Sequence, residues 1–117
     1  METINNPEQF SQFIENKPAP VVCFHSRLSA YSRRTVATLL EIEPQFPSAA
    51  FGLADVDRHN FAELVRHYSI VALPTVILFR GGGNIVMFLG EHSAKSWTKL
   101  FEIWLLAGRP ATRENDL

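Results

Sequence analysis

A chain of 117 residues, 46% of them hydrophobic and nine of them phenylalanine, is the size of one ordinary domain and can build a core without disulfides or metals as staples. Its net charge of −1, with acidic and basic residues interspersed, leaves no electrostatic footprint for nucleic acid or an anionic membrane. No apolar run approaches the roughly 20 residues that a bilayer span needs, and the opening "METINNPEQF" lacks the basic and apolar regions of a signal peptide, so the default expectation is a cytoplasmic protein.

In chain order, Asn6 can cap a first helix that has Pro7 at its first position, and Phe10, Phe13 and Ile14 fall on one face. After "KPAP", the run Val21 to Phe24 is short, apolar and bounded by prolines, which suits a buried strand. A second helix is predicted from about Ser29 to Glu43, with Val36, Leu39 and Leu40 as its apolar stripe and Pro44 and Pro47 closing it. "AAFGLADVD" reads as a strand from Ala50 to about Val56. "NFAELVRHYSI" reads as a third helix with Phe61, Leu64 and Val65 facing inward. Thr75 to Phe79 is a β-branched strand directly after Pro74, and the turn Gly81 to Asn84 leads to its hairpin partner "IVMFLG". In the last helix, Trp97, Leu100, Phe101, Trp104 and Leu105 recur at helical spacing, Ser93 or Ser96 can start it, and Gly108 with Pro110 stops it. The two tryptophans read as a face packed on a sheet and not as a cofactor platform. One domain over 1–110 and a flexible tail over 111–117 follow.

Alternating helices and strands imply right-handed crossovers and parallel pairing, with antiparallel pairing added by the hairpin. The expected fold is therefore α/β: a three-layer α/β/α sandwich around a mixed four-stranded sheet that ends in a β-hairpin and a helix.

The order of elements, the two serines spaced as in C-x-x-C within "FHSRLSAYSRR", and the segment "IVALPTVILFRGGG" together resemble the thioredoxin superfamily from about Pro20 to Gly108. The resemblance implies a cis Leu73–Pro74 bond beside the motif, and a backbone edge at Leu73 that pairs with an extended peptide. It also places Ser29 and Ser32 at the two cysteine positions. Thiol–disulfide exchange needs a thiolate to attack and a second thiol to resolve the mixed disulfide. A serine hydroxyl does neither, and Ser29 is then mainly a good N-cap. Neighbouring positions depart from the family pattern as well. Leu28 stands where an aromatic often precedes the first cysteine, Cys23 where a buried carboxylate lies below the motif, and Leu53 where a lysine faces it. Ala37 stands near a helix-bending proline. "SAYSR" also resembles the C-x-aromatic-S-R of secretory-pathway members such as adenylylsulfate-reductase-like proteins, which keeps open a secretory lumen location if the chain is an excised domain.

The remaining candidates are weaker. Cys23 is the one cysteine, so no internal disulfide forms, and inside "VVCFH" it reads as a small buried hydrophobe. His25 has no G-x-S-x-G elbow or oxyanion motif to make it the base of a hydrolase. His59, His67 and His92 share no metal-ligand spacing, so neither metal nor cofactor is expected. Arg27, Arg33 and Arg34 surround a helix start and can hold an anion or select acidic partners, or form a solvated edge. "GGGN" lacks the lysine and helix of a phosphate-binding loop. The leading expectation is a redox-inactive protein-binding module, with a chaperone, assembly-factor or complex-subunit role. It would hold a protein or extended peptide with Arg27, Leu28, Ser29, Ala30, Tyr31 and Ser32 on one side of a groove and Leu73, Pro74 and Thr75 on the other. Two alternatives stay open: a thiol-disulfide oxidoreductase carrying a Cys-to-Ser change, and an anion-binding, transferase-like site. The sequence sets no oligomeric state.

Overall fold

A computed structural model describes residues 1–80 and 83–107. The chain alternates through β1 (Glu2–Ile4), α1 (Pro7–Asn16), β2 (Pro20–His25), α2 (Ala30–Ile42), β3 (Ala50–Asp55), α3 (Ala62–His67), β4 (Thr75–Phe79), β5 (Ile85–Leu89) and α4 (Ala94–Ala107). Short 3₁₀ turns follow α2 at Glu43–Gln45 and precede α3 at His59–Phe61. The strands form one sheet in the order β1-β3-β2-β4-β5. β3 pairs in parallel with both β1 and β2, while β4 runs antiparallel to β2 and to β5.

Because successive strand residues point to opposite faces, the two central strands feed two cores. Val21 and Cys23 of β2 and Val76 and Leu78 of β4 pack with Leu39 and Ile42 of α2 and with Trp97, Phe101 and Trp104 of α4. Val22 and Phe24, with Ile77 and Phe79, pack against Phe10 and Phe13 of α1 and against Phe61. All five β4 residues are buried, as a strand covered on both faces must be. Each fully buried aliphatic or aromatic side chain contributes about 1.5–3 kcal/mol through loss of water contact, so this strand anchors the sandwich. The α/β/α layering and the C-terminal hairpin and helix expected from the sequence are present.

The sheet has five strands where four were expected. The extra strand, β1, is three residues long and buries only Ile4, too little to leave a period-2 signal. It docks because Gly52 offers no side chain: a Cβ there would lie 2.7 Å from Ile4 Cδ1 and 3.0 Å from Phe13 Cζ.

Two helix readings also change. The buried face of α2 is Ser32, Thr35, Leu39 and Ile42, whereas Leu40 is exposed and Val36 half-buried. The stripe is rotated because two small polar residues near the helix start face the sheet. The third helix is one 3₁₀ turn plus a six-residue α-helix; Phe61 is buried there, and Leu64 and Val65 are half-buried. The hairpin closes through Arg80 N–H donating to the Asn84 carbonyl at 2.9 Å, with Gly83 at φ +82°, a backbone region that glycine enters without a Cβ clash. Gly81, Gly82, the stop signals Gly108 and Pro110, and the tail 111–117 lie outside the described residues.

Candidate functional site

The register brings the site together. Phe24 of β2 pairs with Thr75 of β4, so the chain leaving β2 toward α2 and the chain entering β4 meet at one end of the sheet. The Leu73–Pro74 peptide is cis. Thr75, fully buried, donates its hydroxyl to the Ala72 carbonyl at 2.6 Å and closes the loop on itself.

Both serines of the motif take part in building the start of α2. Ser29, in extended conformation, is the N-cap: its Oγ accepts the Ser32 N–H at 3.1 Å, satisfying one of the donors a helix leaves free at its first turn. Ser32 is fully buried, and its Oγ accepts the Ser26 N–H at 3.2 Å. The Ser26 carbonyl in turn accepts the Ser29 N–H at 3.1 Å. Ser26 was not singled out from sequence, yet it is the hub of this junction. Its hydroxyl lies 2.8 and 3.1 Å from the two carboxylate oxygens of Asp57, to which it donates, and it accepts the Leu28 N–H at 3.1 Å. The available signal was positional: Ser26 and Asp57 follow the C-terminal ends of two parallel neighbours, β2 and β3, so they had to converge.

The arginines are engaged within the chain. Arg27 Nε lies 3.1 Å from Asp55 Oδ2, and Arg33 donates to the Arg27 carbonyl at 2.7 Å. Arg34 makes a two-pronged bond to Glu91 at 2.7 and 2.9 Å and sits over the Tyr31 ring, 5.2 Å from its centre. The hydrogen bond and charge of Arg34 hold the Glu91 carboxyl below its ordinary range, and Glu91 holds the Arg34 guanidinium above its own. Exposed ion pairs of this kind are worth little in water, but they leave less unpaired positive charge beside the helix start than the sequence suggested.

Beside these arginines, three apolar side chains face solvent. Leu28 is 86% exposed and Tyr31 60%, and Val71, in the loop that leads to the cis proline, is 85% exposed. Val71 was missed, because one valine between Ile70 and Ala72 reads as ordinary core. Ala30 and Arg27 are also exposed, and Ser29 and Leu73 are half-buried. Ser32, Pro74 and Thr75 are buried, so they shape the junction from beneath.

The chemistry this arrangement permits is narrow. The Cys23 thiol is pushed up to about 12 by burial and stays protonated; its strand partners are Leu53 and Val76, so no charged group faces it across the sheet. His25 is half-buried. Burial lowers its pKa below the ordinary value against the pull of Asp55 and Asp57, and Arg27 lowers it further. Neither Ser29 nor Ser32 is hydrogen-bonded to a histidine among the described residues, so no serine nucleophile is activated in the manner hydrolysis requires. Among the described residues, no group of three His, Cys, Asp or Glu side chains is placed to hold a metal ion, and no helix is long and apolar enough to cross a membrane.

No protein-family model matches this sequence, and neither does any curated protein. Solved structures do. Fasciola hepatica thioredoxin is 23% identical over 87% of this chain and 98% of its own, with a TM-score of 0.74. Plasmodium falciparum thioredoxin is 18% identical over 89% and 99%, with a TM-score of 0.79. Mitochondrial thioredoxin 3 of Saccharomyces cerevisiae, in its oxidized form, is 19% identical over 87% and 93%, with a TM-score of 0.76. Identities this low speak to architecture, and the architecture is unambiguous: this chain has the thioredoxin fold.

Proposed function

We propose that this is a redox-inactive thioredoxin-fold protein-binding module, which holds an extended and largely apolar segment of a partner between the Ser29–Tyr31 helix start and the Leu73–Thr75 loop. The observation that carries the reading is the combination, at one sheet end, of hydroxyls at both thiol positions with an apolar rim of Leu28, Tyr31 and Val71. Singly scattered exposed apolar residues need no explanation, but a group gathered around one feature does. An extended segment can take hydrogen bonds from a free backbone edge and specificity from side-chain contacts on either side. The internal pairing of Arg27 and Arg34 favours a neutral, apolar partner over the acidic one considered from sequence.

The competing reading is an oxidoreductase carrying serine in place of its thiols. One experiment separates the two: Ser29→Cys with Ser32→Cys, assayed for insulin reduction by dithiothreitol beside the unaltered chain. The binding-module reading expects a folded double variant with a rate close to that of dithiothreitol alone, because Cys23, Leu28 and Leu53 supply none of the charge that tunes a redox pair. Vigorous reduction by the double variant would make the oxidoreductase reading the correct one.

A further inference from the structure

The two edges of the sheet are finished differently. At one edge, β1 is three residues long and carries Glu2, which lies 3.5 Å from Lys17. Shortness and charge are the usual devices that stop an edge from pairing with another chain. The opposite edge is β5, five residues "IVMFL" with no charge and no proline, in which Ile85, Val86 and Leu89 are 40–47% exposed.

The direction of its backbone groups follows from the bonds it makes. In an antiparallel pair, the residues that exchange bonds alternate with those that do not. The Asn84 carbonyl accepts from Arg80 and the Gly90 N–H donates to the Pro74 carbonyl, and both belong to the same β4–β5 register. Even-numbered residues of β5 therefore face β4. Ile85, Met87 and Leu89 turn their N–H and C=O groups outward, where no strand among the described residues receives them.

We infer that this edge pairs with the same edge of a second copy of the chain, antiparallel about a two-fold axis at Met87. That register sets Met87 against the second copy's Met87 and each Ile85 against the other copy's Leu89. It exchanges about six backbone hydrogen bonds and uses every outward group of the strand. The edge is self-complementary in charge: no ionised side chain lies within Ile85–Leu89, and Glu91, two residues beyond, is held by Arg34. The pairing joins two five-stranded sheets into one, and by this route a two-fold axis removes both exposed edges at once. An interface built mainly on one short strand falls at the small end of specific interfaces, so the dimer forms at high concentration and dissociates on dilution.

The test is sedimentation velocity on the full chain from about 10 µM to about 1 mM, with I85K/L89K and I85K/L89E measured alongside. In the inferred register, residue 85 faces residue 89 of the other copy. The first pair therefore sets like charges opposite each other twice, and the second sets opposite charges there twice. The expected result is concentration-dependent dimerisation of the unaltered chain, with at least about a tenfold higher association constant for I85K/L89E than for I85K/L89K. If either variant fails to fold, Met87→Pro serves instead: it removes one outward N–H without breaking a bond to β4 and is expected to weaken the dimer to a similar degree. A chain that stays monomeric at about 1 mM overturns the inference. So does equal association of the two charged variants, or a dimer that Met87→Pro leaves unchanged.

Discussion

Replacing Ser32 with alanine isolates the buried bond on which the helix start rests. In the native chain the Ser32 Oγ accepts the Ser26 N–H at 3.2 Å in a fully buried setting. Removing that acceptor leaves a backbone donor that water cannot reach easily, at a cost of about 1–3 kcal/mol. Alanine's better helix propensity returns up to about 0.5 kcal/mol, so the net loss is about 0.5–3 kcal/mol. Ser29→Ala removes a part-buried side-chain cap, at a cost of about 1 kcal/mol. The two residues share one turn, and Ser29 Oγ holds the N–H of Ser32 itself, so their double variant should depart from additivity. The assay is urea unfolding followed by tryptophan fluorescence, since Trp97 and Trp104 are both buried in the core. The reasoning predicts that Ser32→Ala shifts the midpoint at unchanged slope. A loss below about 0.5 kcal/mol, the range of an ordinary surface change, would refute the claim that this hydroxyl supports the junction.

Two further outcomes follow from the same structure. Gly52→Ala inserts a Cβ 2.7 Å from Ile4 Cδ1; it should cost about 1–3 kcal/mol by overpacking, and hydrogen exchange should show β1 opening before the rest of the sheet. For His25, the folded pKa lies below 6.5 because burial disfavours the charged ring, so the unfolded chain takes up the proton first as pH falls. Its contribution is therefore fully present above about pH 6.5 and is lost as pH drops through that value. Thermal melts between pH 8 and pH 5 should fall in the unaltered chain and fall less in His25→Gln; parallel curves would contradict this account.

How much of this was legible in the sequence depended on the range of the interaction. Asn6 as a cap, Ser29 as a cap, the burial of Cys23 and the tryptophan face of α4 are local or periodic features, and the chain spells them out. The hairpin was legible because "GGGN" separates two apolar runs. By contrast, β1 depends on a glycine some fifty residues away, and the Arg34–Glu91 pair joins residues 57 apart in the chain. Neither leaves a local mark. The rotated face of α2 misled for another reason: hydrophobicity marks Leu40, whereas Ser32 and Thr35 are buried by small size and hydrogen bonding. The Ser26–Asp57 contact lay between, since strand order implies it but no motif announces it.

The contacts around the start of α2 bear on the redox-inactive reading proposed above. A thiolate at a helix start is stabilised by backbone donors left free for it and by nearby positive charge. In this chain the Ser32 N–H is taken by Ser29 Oγ, the Ser29 N–H by the Ser26 carbonyl, and the Ser26 N–H by Ser32 Oγ. Of the arginines that could supply charge, Arg27 and Arg34 are paired with Asp55 and Glu91, while Arg33 donates to the Arg27 carbonyl and keeps its charge. Each bond is ordinary by itself, and together they satisfy the junction with its own hydroxyls, carbonyls and carboxylates. A sulfur at position 29 or 32 would inherit the N–H now aimed at that hydroxyl, so what the surroundings withhold is charge: the neighbouring strand pair Cys23 and Leu53 carries none. What the junction presents outward includes the apolar surface of Leu28, Tyr31 and Val71, and that surface is what the proposed binding role uses.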